Sequence, residues 1–280
     1  MNYPTILVHL DSGPRCAARV ALATQLARAQ DAHLVGLAPT GMADVMLSMN
    51  TAVPDGIEYI QLSASFLREQ AEAVAAAFEH QVAPAGLASY EARVVEDEPI
   101  DALARYGRCS DLVVIGQSDR ATRIDNVAWD FPQQALQHLG RPVLVVPYAG
   151  TFERVGERVL VAWKDTREAA LAVRDALPLL RGAERVVLLS FAEEGVPGAA
   201  DRLELSGVQQ WLGRHRVDAE IRSEPHSADV GEALLSRASE FGSDLIVMGA
   251  YGHSRMREWV TGGVTRVLLA RMTVPVLMSH

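Results

Sequence analysis

Cysteine is nearly absent from this chain: Cys16 and Cys109 are the only two in 280 residues, and neither belongs to a CxxC or a Cys/His cluster. A disulfide-built scaffold and a structural zinc site are therefore not expected. The other histidines that could ligate metal, His9, His33, His80, His138, His215, His226 and His280, show no spacing typical of a metal site. No apolar run approaches the roughly eighteen residues that span a bilayer. The opening MNYPTILVHLD runs straight into a strand-like segment without a basic region and cleavage site, so a cytoplasmic protein without membrane partners is expected. Positive charge is also short: 26 Lys and Arg stand against 35 Asp and Glu, a net −9, which argues against nonspecific nucleic-acid binding. Nothing resembles a nucleophile elbow, a paired-carboxylate centre or a phosphate loop with its lysine. Catalysis is not expected beyond slow nucleotide hydrolysis, with Asp165 or Asp11 holding magnesium or positioning water.

What is present is a globular balance, 49% hydrophobic and 22% charged, sufficient for two cores. It is also a repeat. Asp111-Leu-Val-Val-Ile-Gly116 and Asp244-Leu-Ile-Val-Met-Gly249 are apolar runs ending in glycine, and each is followed 26 positions later by a proline that opens another apolar run, at Pro142 and Pro275. Each half begins with a β-branched and Leu-rich run, Ile6–Val8 and Val159–Val161, then a polar turn and an Ala-rich helical pattern at Pro14–Gln30 and Thr166–Leu180. Strand and helix patterns then alternate: strands at His33–Leu37 and Val186–Ser190, helices at Glu58–His80 and Asp201–Arg214, and strands at Tyr90–Val94 and Ala219–Arg222. Helices at Pro99–Tyr106 and Ala228–Glu240 lead to the strands Leu112–Ile115 and Leu245–Met248, and the last strands are Val143–Val146 and Val274–Met278. Continuously apolar strands between helices indicate parallel sheets covered on both faces. The fold class is therefore α/β: two tandem domains, each with a five-stranded parallel sheet and helices on both faces. The domains are 1–149 and 150–280, joined by a short linker, Pro147–Glu157.

In open parallel sheets ligands sit beyond the carboxyl ends of the strands, where connections diverge. In the second half that place holds Gly249, Gly252, Gly262 and Gly263, with Val264 and Thr265 opening the next helix. Glycines let a backbone approach an anion, and helix N-terminal amides point at it. Residues 249–266 carry three arginines (Arg255, Arg257 and Arg266) against Glu258, a balance of +2. In residues 116–133, Arg120 and Arg123 face Asp119, Asp125 and Asp130, a balance of −1. Arg255, Arg257 and His253 are candidates for phosphate contact, with solvated surface side chains as the plain alternative. Tight turns and helix packing are the corresponding alternative for the glycines.

The spacing Gly249, two residues, Gly252, nine residues, Gly262 resembles the ATP-binding loop of the universal stress protein superfamily, and the likeness to the tandem two-domain form runs over essentially the whole length. The resemblance implies a doubly wound, Rossmann-like domain that holds ATP, with magnesium, and acts in stress adaptation. It places Ala162, Trp163, Lys164, Asp165 and Thr166 at the end of strand one and Met248 beside the nucleoside. It also implies pairing of the last strands, Val143–Val146 antiparallel to Val274–Met278, as an internal pseudo-dimer, with further homodimerisation and protein partners still to be named. Several roles stay open at this point. Trp163 either stacks on adenine or fills the domain interface, Thr166 is as well explained as an N-cap, and Met248 suits a core. Gly263 stands where the family has Ser or Thr, leaving Thr265 as the nearby hydroxyl, and Lys164 stands where it has Asp. The first half keeps Asp11 at that position but replaces the second glycine by Asp119 and the third by Trp129, with Pro132 altering the helix start. A carboxylate and an indole there would exclude phosphate, so the first domain is expected to bind no nucleotide. A scaffold that has lost nucleotide binding is the alternative function.

Overall fold

The computed structural model describes residues 2–41, 56–119, 127–192, 198–225, 227–252 and 263–280, without the side chains of 56–63 and 198–204. The chain divides into two compact units, Asn2–Arg141 and Pro142–His280. Both units are built by β/α alternation.

In the first unit the strands are β1 (Thr5–His9), β2 (His33–Pro39), β3 (Tyr90–Val95) and β4 (Leu112–Gly116), and the helices are α1 (Cys16–Gln30), α2 (Gly56–Val82), α3 (Pro99–Gly107) and α4 (Phe131–His138). The strand order is β3-β2-β1-β4, all parallel. Ile6, Leu7, Val8 and Leu112 to Ile115 are fully buried. Such apolar runs form the central strands of a parallel sheet because helices cover both faces. Two helices begin differently from the expectation. α1 starts at Cys16 rather than Pro14, because Gly13 donates its N–H to Asp11 Oδ1 at 2.9 Å and holds the preceding residues in a turn. Pro132 sits in the first turn of α4 without disturbing it, since a first-turn residue has no helical N–H bond to lose.

The second unit holds β5 (Val143–Val146), β6 (Arg158–Ala162), β7 (Arg185–Phe191), β8 (Ala219–Glu224), β9 (Leu245–Gly249) and β10 (Val276–Ser279). Its helices are α5 (Arg167–Leu180), α6 (Gly198–Arg214), α7 (Val230–Glu240) and α8 (Val264–Arg271). The order is β5-β10-β9-β6-β7-β8. All pairs are parallel except the first, where β5 lies antiparallel to β10 with Leu144 opposite Leu277. β10 begins at Val276, two residues later than the sequence pattern suggested.

The repeat is visible in small devices as well. Asp111, just before β4, accepts the Thr5 N–H at 2.9 Å. Its counterpart Asp244, before β9, accepts the N–H groups of Gly156, Glu157 and Arg158 at 2.7, 3.1 and 3.0 Å. Each carboxylate ties the amino end of one strand to the start of its neighbour. Among the described residues no helix is long and apolar enough to cross a membrane.

Candidate functional site

In the second unit β6 and β9 are neighbours, with Ala162 opposite Met248. From β6 the chain leaves toward β7, while β10 lies on the other side of β9. The carboxyl ends of β6 and β9 are thus the point where connections diverge, the usual ligand position in an open parallel sheet.

The turn out of β6 is tight. Trp163 donates its N–H to Leu189 O at 2.7 Å, and Thr166 donates its N–H to Lys164 O at 2.7 Å. Thr166 is extended, and its hydroxyl accepts from Ala169 N at 3.2 Å, so it is the N-cap of α5. Lys164 and Asp165 are exposed on this turn. The helix therefore starts at the very edge of the sheet and crosses close above β9. A Cβ on Gly249 would lie 2.5 Å from Ala169 N and 2.6 Å from Glu168 C. Gly252 faces side-chain ends instead: its Cβ position is 3.1 Å from Glu168 Oε2 and 3.2 Å from Thr166 Oγ1. Thr166, Glu168, Gly249 and Gly252 therefore line one mouth.

The other wall is the start of α8. Gly263 is its N-cap, and its carbonyl accepts from Arg266 N and Val267 N at 2.9 and 3.2 Å. Val264 and Thr265 form the first turn, whose amides have no helical acceptor. Thr265 is buried, with its Oγ1 3.5 Å from the Tyr251 N–H, so this hydroxyl supports the left-handed Tyr251 (φ 56°). Met248 is buried between Ala162 and Met278 on the neighbouring strands. The Trp163 ring lines a cavity of about 460 Å³ between α5 and α6. His253, Arg255, Arg257 and Gly262 lie outside the described residues. Glu168 escaped the sequence analysis because its position next to Gly252 depends on how closely α5 crosses β9. Among the described residues no group of three His, Cys, Asp or Glu side chains could hold a metal ion.

Strand registers place the corresponding point of the first unit at His9, Asp11 and Gly116. It is filled by the protein itself. Arg19, on α1, donates Nε to His9 O at 2.8 Å and Nη2 to Asp11 Oδ2 at 2.6 Å, and all three residues are buried. Its Nη1 lies 2.5 Å from where a Cβ on Gly116 would be. Burial alone would raise the Asp11 carboxyl, but the Arg19 guanidinium, helped by His9 and the Gly13 N–H, holds it well below the usual carboxylate range. Burial pushes the His9 imidazole down, so it is neutral, with its ring 4.7 Å from that of Phe131. Trp129 is 68% exposed. The expected obstruction by its indole is not what occupies this edge; Arg19 occupies it. Arg19 was legible in part, since residues 19, 22, 23 and 26 form one buried helical stripe on which an arginine is the odd member.

Residues 156–280 match the model of the Universal stress protein family. No curated protein matches the chain. Among solved structures, a universal stress protein from Archaeoglobus fulgidus DSM 4304 superposes with a TM-score of 0.72 at 15% identity, covering 99% of this chain and 98% of that one. A putative universal stress protein from Pseudomonas aeruginosa UCBPP-PA14 gives 0.62 at 14% identity, covering 99% and 93%. A functionally unknown protein from Pseudomonas aeruginosa PAO1 gives 0.58 at 15% identity, covering 99% and 92%. At such identities these three likenesses are likenesses of fold. Residues 156–280 belong to the universal stress protein family, in a chain whose two halves carry that family's α/β fold in tandem.

Proposed function

We propose that the protein is a cytoplasmic stress-response protein whose second half, 150–280, binds one adenine nucleotide, ATP with magnesium, while the first half, 1–149, binds none. The observation that carries this reading is Gly252. Packing against the α5 backbone accounts for Gly249, whereas a Cβ on Gly252 would meet no backbone, only the side chains of Glu168 and Thr166 at 3.1–3.4 Å. A bare backbone at that mouth, facing a hydroxyl and the first turn of α8, suits close approach by a ligand. The groups present divide by charge. Lys164 offers a cation on the exposed turn, whereas the Glu168 carboxylate would repel phosphate and accept hydrogen bonds from hydroxyls. The sugar of a nucleotide therefore belongs beside Glu168, with the phosphates toward Gly263, Val264 and Thr265. In this arrangement Glu168 takes the place of the strand-end Asp that Lys164 replaces. Binding alters the protein's interactions, within its tandem pair, in a homodimer or with protein partners, and drives no reaction.

Isothermal titration with Mg-ATP tests this. One site per chain is expected, and Gly252→Asp, which copies Asp119 of the first half, should abolish binding with the melting temperature retained. Wild-type affinity in Gly252→Asp would overturn the assignment. Glu168 beside Gly252, together with Gly263 in place of a hydroxyl residue, favours the alternative of a scaffold without nucleotide, which predicts no heat at millimolar Mg-ATP.

A further inference from the structure

We infer that the second unit carries a separate site for a small aromatic acid in the cleft between α5 and α6. The cleft encloses about 460 Å³ and is lined by Trp163, Arg167, Leu171 and Arg174 from one side and by Gly207 and Trp211 on α6. In the first unit the corresponding helices are tied together, with Gln81 Nε2 of α2 donating to Ala17 O of α1 at 2.8 Å. In the second unit the same pair of helices leaves a cavity.

Three observations specify the occupant. First, Trp163 Nε1 is buried and has no hydrogen-bond partner among the described residues. A buried donor of this kind calls for an acceptor, and Trp in native structures nearly always has one. Second, Gly207 lies in the interior of α6, where glycine weakens a helix relative to alanine; it is exposed, and among the described residues no atom outside its own helical turns lies within 4 Å of where its Cβ would stand. Packing therefore gives no reason for a glycine there. Its effect is to leave the α6 side of the cleft without a side chain at that point. Third, two guanidinium groups stand at the rim, with Arg167 and Arg174 side chains 74% and 60% exposed. Arg167 gives Nε to Glu168 at 3.3 Å, and Arg174 gives Nε and Nη2 to Asp175, which also accepts the Ser279 hydroxyl. A guanidinium has more N–H donors than one neighbouring carboxylate takes up, so both can still bind an anion at the rim. An aromatic ring carrying a carboxylate satisfies all three: apolar faces for the indoles, an acceptor for Nε1 and a charge for the arginines. The cleft runs from Trp163 down about two turns of α5 to Arg174.

Isothermal titration of the full chain with 1-naphthoate tests the inference. One site per chain is expected, with a Kd on the order of tens of micromolar. Trp163→Phe keeps the ring and removes the donor, and should weaken binding about five- to tenfold. Gly207→Leu fills the cleft and favours the helix, and should abolish binding with circular dichroism and melting temperature unchanged or improved. Saturating Mg-ATP should leave the naphthoate affinity unchanged, which keeps this site's failure distinct from failure of the nucleotide site. Absence of binding to the folded wild type would overturn the inference. So would wild-type affinity in Trp163→Phe or Gly207→Leu, or displacement by Mg-ATP.

Discussion

Two glycines three positions apart do different work at the end of β9. Gly249 is fixed by sterics: the atoms a Cβ would strike belong to the backbone of α5, which cannot turn aside. Gly249→Ala should therefore cost about 1–3 kcal/mol or more, whereas Gly252→Ala, which meets side-chain atoms of Glu168 and Thr166 at 3.1–3.4 Å and no backbone, should stay within about 1 kcal/mol. Thermal denaturation of the two variants checks this ordering, and equal losses would refute it. In the first unit the Arg19–Asp11 pair is equally residue-specific. Arg19→Leu strands a buried carboxylate and should destabilise by about 3–5 kcal/mol, much of it recovered by adding Asp11→Asn. The pair also sets the acid response. Asp11 stays ionised in the fold well below its unfolded pKa, so the stability it adds is present above about pH 4 and is lost as pH falls further toward its depressed folded value. His9 is depressed too, so the unfolded chain takes up its proton first as pH falls through about 6.5, and stability begins to decline there. Denaturant unfolding from pH 8 to 3 should show both limbs, with His9→Gln flattening the upper one.

Between elements, the decisive contacts are those that tie one segment to another across sequence. Asp244 holds three backbone N–H groups at the entry to β6. Asp244→Ala leaves those donors without their acceptor and should lower stability by about 2–4 kcal/mol, with Asp244→Asn recovering part of it. An equal loss in both variants would point to charge rather than hydrogen bonding. Helix α7 meets α8 in the same close manner, a Cβ on Gly231 standing 2.7 Å from Val267 Cβ. The strands and helices themselves were readable from the sequence, because apolar runs such as Val113–Ile115 and caps such as Thr166 act through neighbours in the chain. Pro14, Pro132 and the start of β10 were misjudged because turn geometry and ladder pairing, rather than residue type, decide where an element begins. Glu168 beside Gly252 and Arg19 above Gly116 depend on how near a helix passes to a strand end, which no local pattern records.

At the scale of the whole molecule, a duplicated fold raises the question of whether it binds twice. The chain carries −9 overall, so any anion must be drawn by local cations, and Lys164 is its single lysine. The register places Lys164 opposite Asp11 in the repeat. At equivalent points, therefore, one half presents an exposed cation on a turn and the other a carboxylate already neutralised by its own arginine. Under the proposed function one site per chain is predicted, in the second half. The single lysine makes this measurable without mutation. An amine-directed acylating reagent should modify Lys164 and the terminal amine, and Mg-ATP should slow modification of Lys164 several-fold while leaving the terminus unaffected, read peptide by peptide by mass spectrometry. In Gly252→Asp that protection should vanish. Protection that persists in Gly252→Asp, or that covers both amines alike, would remove the nucleotide from this mouth, because a nucleotide seated between Glu168, Gly252 and the start of α8 is the reason to expect shielding of Lys164 alone.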